Sequence, residues 1–273
     1  MANVVQGPSL VLTSLHRPEP TLMIVPGLRS LPFWTSRGQV AFQDPQLSNI
    51  VRHLQENVAT IREEYQRVSP TLSSDYDATT TTKSAGTEHT DDNGIEGSAS
   101  LHTGSWDWHS YLLHGQVQPT FCEKFQVTTK IIQSMGKDLF THNPFGFCFF
   151  SKLSGNSSIR AHASPINFRL RIHLPLIVPQ ASSLTSSNVT NTEHDNKHDI
   201  DIGIRVGPLT QSWIQDQPMV LDDSYNHQVW NNTNEERVVL LIDVWHPDVR
   251  PREREEIVRM FQHAKLQGWW NNK

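Results

Sequence analysis

Cysteine is scarce in this chain: Cys122 and Cys148 are the only two in 273 residues, and neither sits in a CxxC arrangement. That excludes a disulfide framework. Long apolar runs are lacking too; none approaches the roughly 20 residues a membrane helix requires, so no membrane span is expected. Nor is there a surplus of positive charge, since 23 Lys and Arg face 28 Asp and Glu for a net −5. Without a basic stripe, nucleic acid is not an expected partner, although a local positive pocket is still allowed. The opening stretch MANVVQGPSLVLTSLHRPEP has neither the basic start nor the sustained apolar centre of a signal peptide, so a cytoplasmic location is expected. Asn156, Asn188 and Asn231 begin N-x-S/T sequons, which arise by chance in a chain rich in Asn, Ser and Thr.

What is present is enough apolar material, 36% of residues, to bury a full core, and a single globular domain with loop insertions is expected. Residues 1–68 read as an extended segment, with turn-rich VPGLRSLPFW anchored by Phe33 and Trp34, followed by a packing helix. In that helix Leu47, Ile50, Val51, Leu54, Val58, Ile61, Tyr65 and Val68 recur at three- and four-residue steps behind an Asp-Pro start. Residues 69–103, dominated by Ser, Thr, Asp and Gly, cannot offset their ordering entropy by burial and read as a disordered insertion. Residues 181–201 are a similar polar tract, expected to be an expanded hairpin loop. His194 and His198 within it have the spacing of a helical zinc pair but no helical pattern around them. Elsewhere in 104–250 the chain reads as short strands with little helix between them, which points to a β-sandwich or jelly roll. Residues 251–273 read as an amphipathic helix with Ile257, Met260, Phe261 and Ala264 on one face.

Two stretches carry candidate chemistry. In NFRLRIHLPLIV, Phe168, Leu170, Ile172, Leu174, Leu176 and Val178 share one parity, and Asn167, Arg169, Arg171 and His173 the other. The polar parity is either the wet outer face of an ordinary strand or the lining of a barrel mouth. In Asp222–Pro247, His227 closes a polar turn and Arg237 heads the buried run RVVLLIDVW. A charge at the head of such a strand requires an anion, and a carboxylate is the obvious one. Ten residues, an even number, separate His227 from Arg237, so a hairpin could point both into one cavity. Asp222 and Asp223 read as turn-formers, and Asp243 and His246 as supporting groups. His162 lies in the turn-rich IRAHASP. Two histidines so far apart in sequence, each at a strand edge, suit the iron site of a jelly-roll oxygenase as well as they suit hydrogen-bonded structural roles. In such sites an HxD/E pair normally supplies a carboxylate, and here that position is Ser164.

The segments VPGLRSLPFW, GSWDWHSYLLHGQ, FGFCFFSKLSGNSSIRAHASPINFRLRIHLPLIVP, LDDSYNHQVWNNT and RVVLLIDVWHP resemble the aspartyl/asparaginyl β-hydroxylase family of iron(II)- and 2-oxoglutarate-dependent oxygenases. The resemblance covers roughly residues 24–34 and 104–250 outside the polar tract. It implies a mainly β, double-stranded β-helix (jelly roll, cupin-like) with flanking N- and C-terminal helices. It implies His162 and His227 as the iron ligands, with no carboxylate at Ser164. It further implies Arg237 as the clamp on the distal carboxylate of 2-oxoglutarate, with Ser151 beside it and Trp106, Arg171 and His173 lining the same pocket. The cofactors so implied are Fe(II), 2-oxoglutarate and O2, and the reaction is hydroxylation of a carbon in an aspartyl or asparaginyl residue or a related acid or amide, releasing succinate and CO2. The partner would be a peptide or protein side chain or a small molecule. Two alternatives stand beside it: the same mechanism on a lipid acyl chain or metabolite, and a jelly-roll binding protein without turnover.

Overall fold

Apolar residues on alternate positions of a strand must find cover on whichever face they occupy, and here both faces of the central strands find it. The protein, seen in a computed structural model, is described for residues 23–36, 39–40, 44–76, 101–179 and 200–268. In chain order the elements are β1 (Thr35–Ser36), β2 (Gln39–Val40), α1 (Pro45–Val68), β3 (His102–Thr103), β4 (Trp106–Leu113), β5 (Gln116–Val117), α2 (Pro119–Lys124), α3 (Gln126–Gln133), β6 (Cys148–Leu153), β7 (Ser157–His162), β8 (Arg169–Ile177), β9 (Ile202–Val206), β10 (Leu209–Gln211), β11 (Met219–Leu221), β12 (His227–Asn231), β13 (Arg237–Trp245) and α4 (Pro251–Leu266). One sheet has the order β11-β8-β13-β6-β4-β5 and the other β10-β9-β12-β7-β3. From β6 to β13 the chain alternates between them, apart from the hairpin β9–β10 within the five-stranded sheet, and neighbours within each are antiparallel, which winds the strands into a jelly roll.

The outer face of the six-stranded sheet, with Leu170, Ile172, Leu174, Leu176, Leu240 and Ile242, is covered by α1, α2 and α3. The helix α1 starts where the sequence signals it: Asp44 accepts from the Leu47 N–H at 3.0 Å, Pro45 follows, and seven of the eight periodic residues are buried. The strand β8 therefore has no wet face, and its polar parity lines the interior between the sheets.

Several expectations need correction. The stretch Asp222–Pro247 is not a hairpin, because β12 belongs to the five-stranded sheet and β13 to the six-stranded one. The two strands face each other across the interior, which still directs His227 and Arg237 into one space. Helices α2 and α3 were not foreseen; Val127, Thr128, Thr129, Ile131 and Ile132 are β-branched, and α3 has no local side-chain cap. Its first N–H groups donate instead to the Glu64 carboxylate on α1, Val127 at 2.9 Å and Thr128 at 2.7 Å. On α4, Phe261 and Ala264 are buried but Met260 is 48% exposed, so the apolar face is narrower than its sequence suggests. Both ends of the polar tract 69–103 are ordered: Ser69–Thr71 form a turn of 3-10 helix, Ser74 and Asp75 bond to β4, and His102–Thr103 form β3. Residues 1–22, 77–100, 180–199 and 269–273 lie outside the described residues, and with them His194, His198 and Asn188.

Candidate active site

A cleft of about 750 Å³ opens between the sheets, and His162, His227, Arg237, Ser151, Trp106, Arg171 and His173 all line it. His162 ends β7 and His227 begins β12, and the two are cross-strand partners with ring centroids 4.1 Å apart. Each ring is oriented the same way by the backbone: His162 Nδ1 bonds the Arg160 carbonyl at 2.7 Å, and His227 Nδ1 bonds the Tyr225 carbonyl at 2.9 Å. A carbonyl only accepts, so the proton is on Nδ1 and each neutral ring keeps a lone pair on Nε2. Burial, followed by the nearness of His227, pushes His162 down to about 3, and burial also lowers His227. Both rings are therefore neutral at physiological pH, the form that binds a metal.

Arg237 is only 1% exposed, and its Nε and Nη2 have no hydrogen-bond partner among the described residues. Its guanidinium carbon lies 4.7 Å from the centre of the Trp213 ring. Burial without a counter-charge draws its pKa down to about 9. Trp213 Nε1 in turn donates to His173 Nδ1 at 3.2 Å, which places the proton of neutral His173 on Nε2. Ser151 Oγ accepts from Trp106 Nε1 at 2.9 Å and keeps its own hydrogen to donate.

Arg171 lines the cleft, but its guanidinium is engaged by Asp243 (Nε to Oδ1, 2.8 Å) and Asp223 (3.2 Å). Arg169 bonds the same two acids, at 2.5 Å to Asp223 and 2.7 Å to Asp243. Burial works against ionisation of Asp223, yet the paired arginines hold it well below the usual carboxylate range. Asp222 is the turn-former expected, accepting from the Ser224 N–H and hydroxyl, whereas Asp223 is a buried acid of the site. Nothing local in the sequence marks Asp223. Asp243 could have been found, because it shares the parity of Arg237 on an otherwise apolar strand, and a buried charge there demands partners. His246 sits elsewhere, bonding the Arg29 carbonyl through Nε2 at 3.0 Å. Ser164 places no carboxylate near the imidazoles; its N–H donates to the Asp223 carbonyl at 2.7 Å, tying the two histidine-bearing loops together. Among the described residues no group of three or more His, Cys, Asp or Glu is arranged to hold a metal, so the site offers two imidazoles.

The model of one protein family, aspartyl/asparaginyl beta-hydroxylase, matches residues 55–247, about seven-tenths of the chain. The chain belongs to that family. An aspartyl/asparaginyl beta-hydroxylase of Mus musculus is 23% identical over 237 residues, spanning 87% of this chain and 26% of the relative. Aspartate beta-hydroxylase domain-containing protein 2 of Mus musculus is 28% identical over 165 residues, 59% of this chain and 42% of that protein. The chain thus spans about a quarter of the length of the first relative. A Pseudomonas putida prolyl-4-hydroxylase structure superposes over 70% of this chain and 86% of its own at 12% identity and a TM-score of 0.35, too weak a likeness to bear on the fold. Membership makes this a hydroxylase-family chain, and no helix among the described residues is long and apolar enough to cross a membrane.

Proposed function

We propose that this chain is an iron(II)- and 2-oxoglutarate-dependent hydroxylase that oxidises a carbon of an aspartyl or asparaginyl side chain, or of a related acid or amide. The observation that carries the reading is Arg237, a buried guanidinium with two unused nitrogens in the same cleft as two imidazoles with free Nε2 lone pairs. A buried cation left without an anion is unfavourable, and a dicarboxylate reaching between it and the imidazoles would relieve the deficit. The donor set fits the proposed groups: His162 and His227 would hold the metal, leaving its other positions to cosubstrate and oxygen. Arg237 would fork onto the distal carboxylate of 2-oxoglutarate, with the Ser151 hydroxyl donating beside it. When bound, iron(II) with 2-oxoglutarate supplies the oxidising chemistry, one oxygen atom leaving in succinate as CO2 is released and the other hydroxylating the substrate.

The remaining work belongs to the protein. Backbone carbonyls fix the tautomer of both imidazoles, so each ring keeps an unprotonated Nε2 at neutral pH. Trp213 orients His173 and lies over one face of Arg237, leaving the in-plane N–H groups of the guanidinium to meet an anion. Trp106 holds Ser151 in the orientation that frees its hydroxyl hydrogen.

Anaerobic titration with iron(II) and 2-oxoglutarate tests the reading through the metal-to-ligand charge-transfer band, followed by oxygen and a succinate assay. His162→Ala should abolish the band, and Arg237→Ala should weaken 2-oxoglutarate binding by about a hundredfold, the loss expected for a buried charge-assisted pair. An unaltered band in the His162 variant removes that residue from the metal site.

A further inference from the structure

A second cavity, of about 550 Å³, lies on the side of the six-stranded sheet away from the cleft. Strand β4 separates the two: Trp106 and Trp108 line the cleft, whereas His109 and Ser110 line the outer cavity. Its other walls come from Leu72 and Asp75, which follow α1, and from Phe121 and Phe125 at α2. Among the described residues no arginine or lysine lines it.

Asp75 is fixed in this cavity by β4. Its N–H donates to the Trp108 carbonyl at 3.0 Å, and its carboxylate accepts from the Ser110 N–H at 2.8 Å and the Ser110 hydroxyl at 3.1 Å. Both of those donors are neutral, and no ion pair among the described residues engages the acid, so its charge stands unanswered. The acid next to His109 on the strand, Asp107, is by contrast paired with Lys152 at 2.9 Å. His109 brings no positive charge either, because burial holds it below the usual imidazole value and keeps the ring neutral at pH 7. The Ser73 carbonyl takes the proton on one ring nitrogen, which leaves the other nitrogen as an acceptor.

We infer that this outer cavity is a binding site for a small primary ammonium ion on an apolar body, its charge meeting Asp75 and one of its N–H groups meeting His109. The body gains by leaving water against Leu72, Phe121 and Phe125, the two phenyl rings lying 4.7 Å apart. Aromatic rings attract a cation more than a neutral group of the same shape, and an anion would be repelled by Asp75. No residue of the cleft takes part, so the assignment is independent of the hydroxylase reading.

The test titrates the full chain at pH 7 by calorimetry with 2-phenylethylamine and with 2-phenylethanol, which share a ring and differ in charge. The amine is expected to bind with a Kd below about 1 mM and about tenfold more tightly than the alcohol, the preference due to a partly solvated ion pair and the aromatic contacts. Asp75→Asn, which keeps an acceptor for Ser110 and removes the charge, should reduce that preference to about threefold or less. The same titration followed by NMR should move the ring protons of His109, identified by their loss in His109→Gln, and this places the amine even if the Asp75 variant does not fold. Binding of neither compound, equal binding of the two, an unchanged preference in folded Asp75→Asn, or His109 signals that do not move overturns the assignment. Tighter binding of a capped lysine than of the amine overturns it too, and makes a lysine side chain of another protein the occupant.

Discussion

At the scale of single residues, the site separates charges that stabilise the fold from one that does not. Arg237 is a cation buried without an anion, so replacing it by a similarly sized apolar residue should not harm the ligand-free protein. Arg237→Met is expected to leave ligand-free stability unchanged or raised by about 1–3 kcal/mol while weakening 2-oxoglutarate binding by about a hundredfold, as read by urea melts and calorimetry. Destabilisation beyond about 2 kcal/mol would show that the guanidinium is already satisfied in the fold. Asp223 is the opposite case, because removing it strands Arg169 and Arg171. Asp223→Asn should cost about 3–5 kcal/mol. The folded pKa of Asp223 is depressed, so its contribution is complete above about pH 4, the ordinary carboxylate value, and is lost as pH falls below it. The offset between acid melts of the two proteins should narrow progressively as pH falls below that value towards the depressed folded pKa of Asp223; a constant offset would place the stabilisation elsewhere. Of these residues, Arg237 was legible in sequence as a charge heading an apolar strand. Asp223 was not, because an acid in a turn and an acid in a buried ion network look alike until the arginines of β8 are placed beside it.

At the scale of elements, legibility followed whether an element's stabilising contacts were local. Helix α1 carries its own cap and period, and β13 was readable to the residue as RVVLLIDVW. Helix α3 borrows its cap from Glu64, sixty-three residues before Val127. Glu64→Ala should therefore cost about 1 kcal/mol and speed hydrogen exchange at the Val127 and Thr128 amides while leaving α1 intact. Unchanged exchange there would mean that packing alone holds α3. Helix α4 offers a paired comparison: Phe261→Ala should destabilise by about 3–5 kcal/mol and Met260→Ala by less than about 0.5, since only the first is buried. Equal effects in denaturant melts would contradict the placement of α4 against Phe168 and Trp245.

At the scale of the whole molecule, the six-stranded sheet insulates the helices on its outer face from the chemistry on its inner face. Ligands in the cleft should stabilise both sheets together, because His162 and His227 belong to one and Arg237 to the other. Saturation at a hundred times Kd adds about 2.7 kcal/mol per ligand, which should raise the melting temperature by several degrees. Manganese(II) and 2-oxoglutarate are expected to give separate increments. A chelator should remove the metal's share, and Arg237→Met should lose the 2-oxoglutarate share alone. A 2-oxoglutarate increment persisting in that variant would point to a binding site elsewhere.

The amino-acid sequence by itself determined the strand-rich class, the packing helix, the shared parity of Arg169, Arg171 and His173 (though not that it faces inward), and, through family motifs, the seven candidate site residues. These are properties of periodicity and residue type, which operate within a few positions along the chain. Only the tertiary structure decided that β12 and β13 lie on opposite sheets, that Glu64 caps a distant helix, and that two acids neutralise the arginines beside the imidazoles. Charge pairing and burial depend on distances in space between residues that the chain keeps far apart, and no local pattern encodes them.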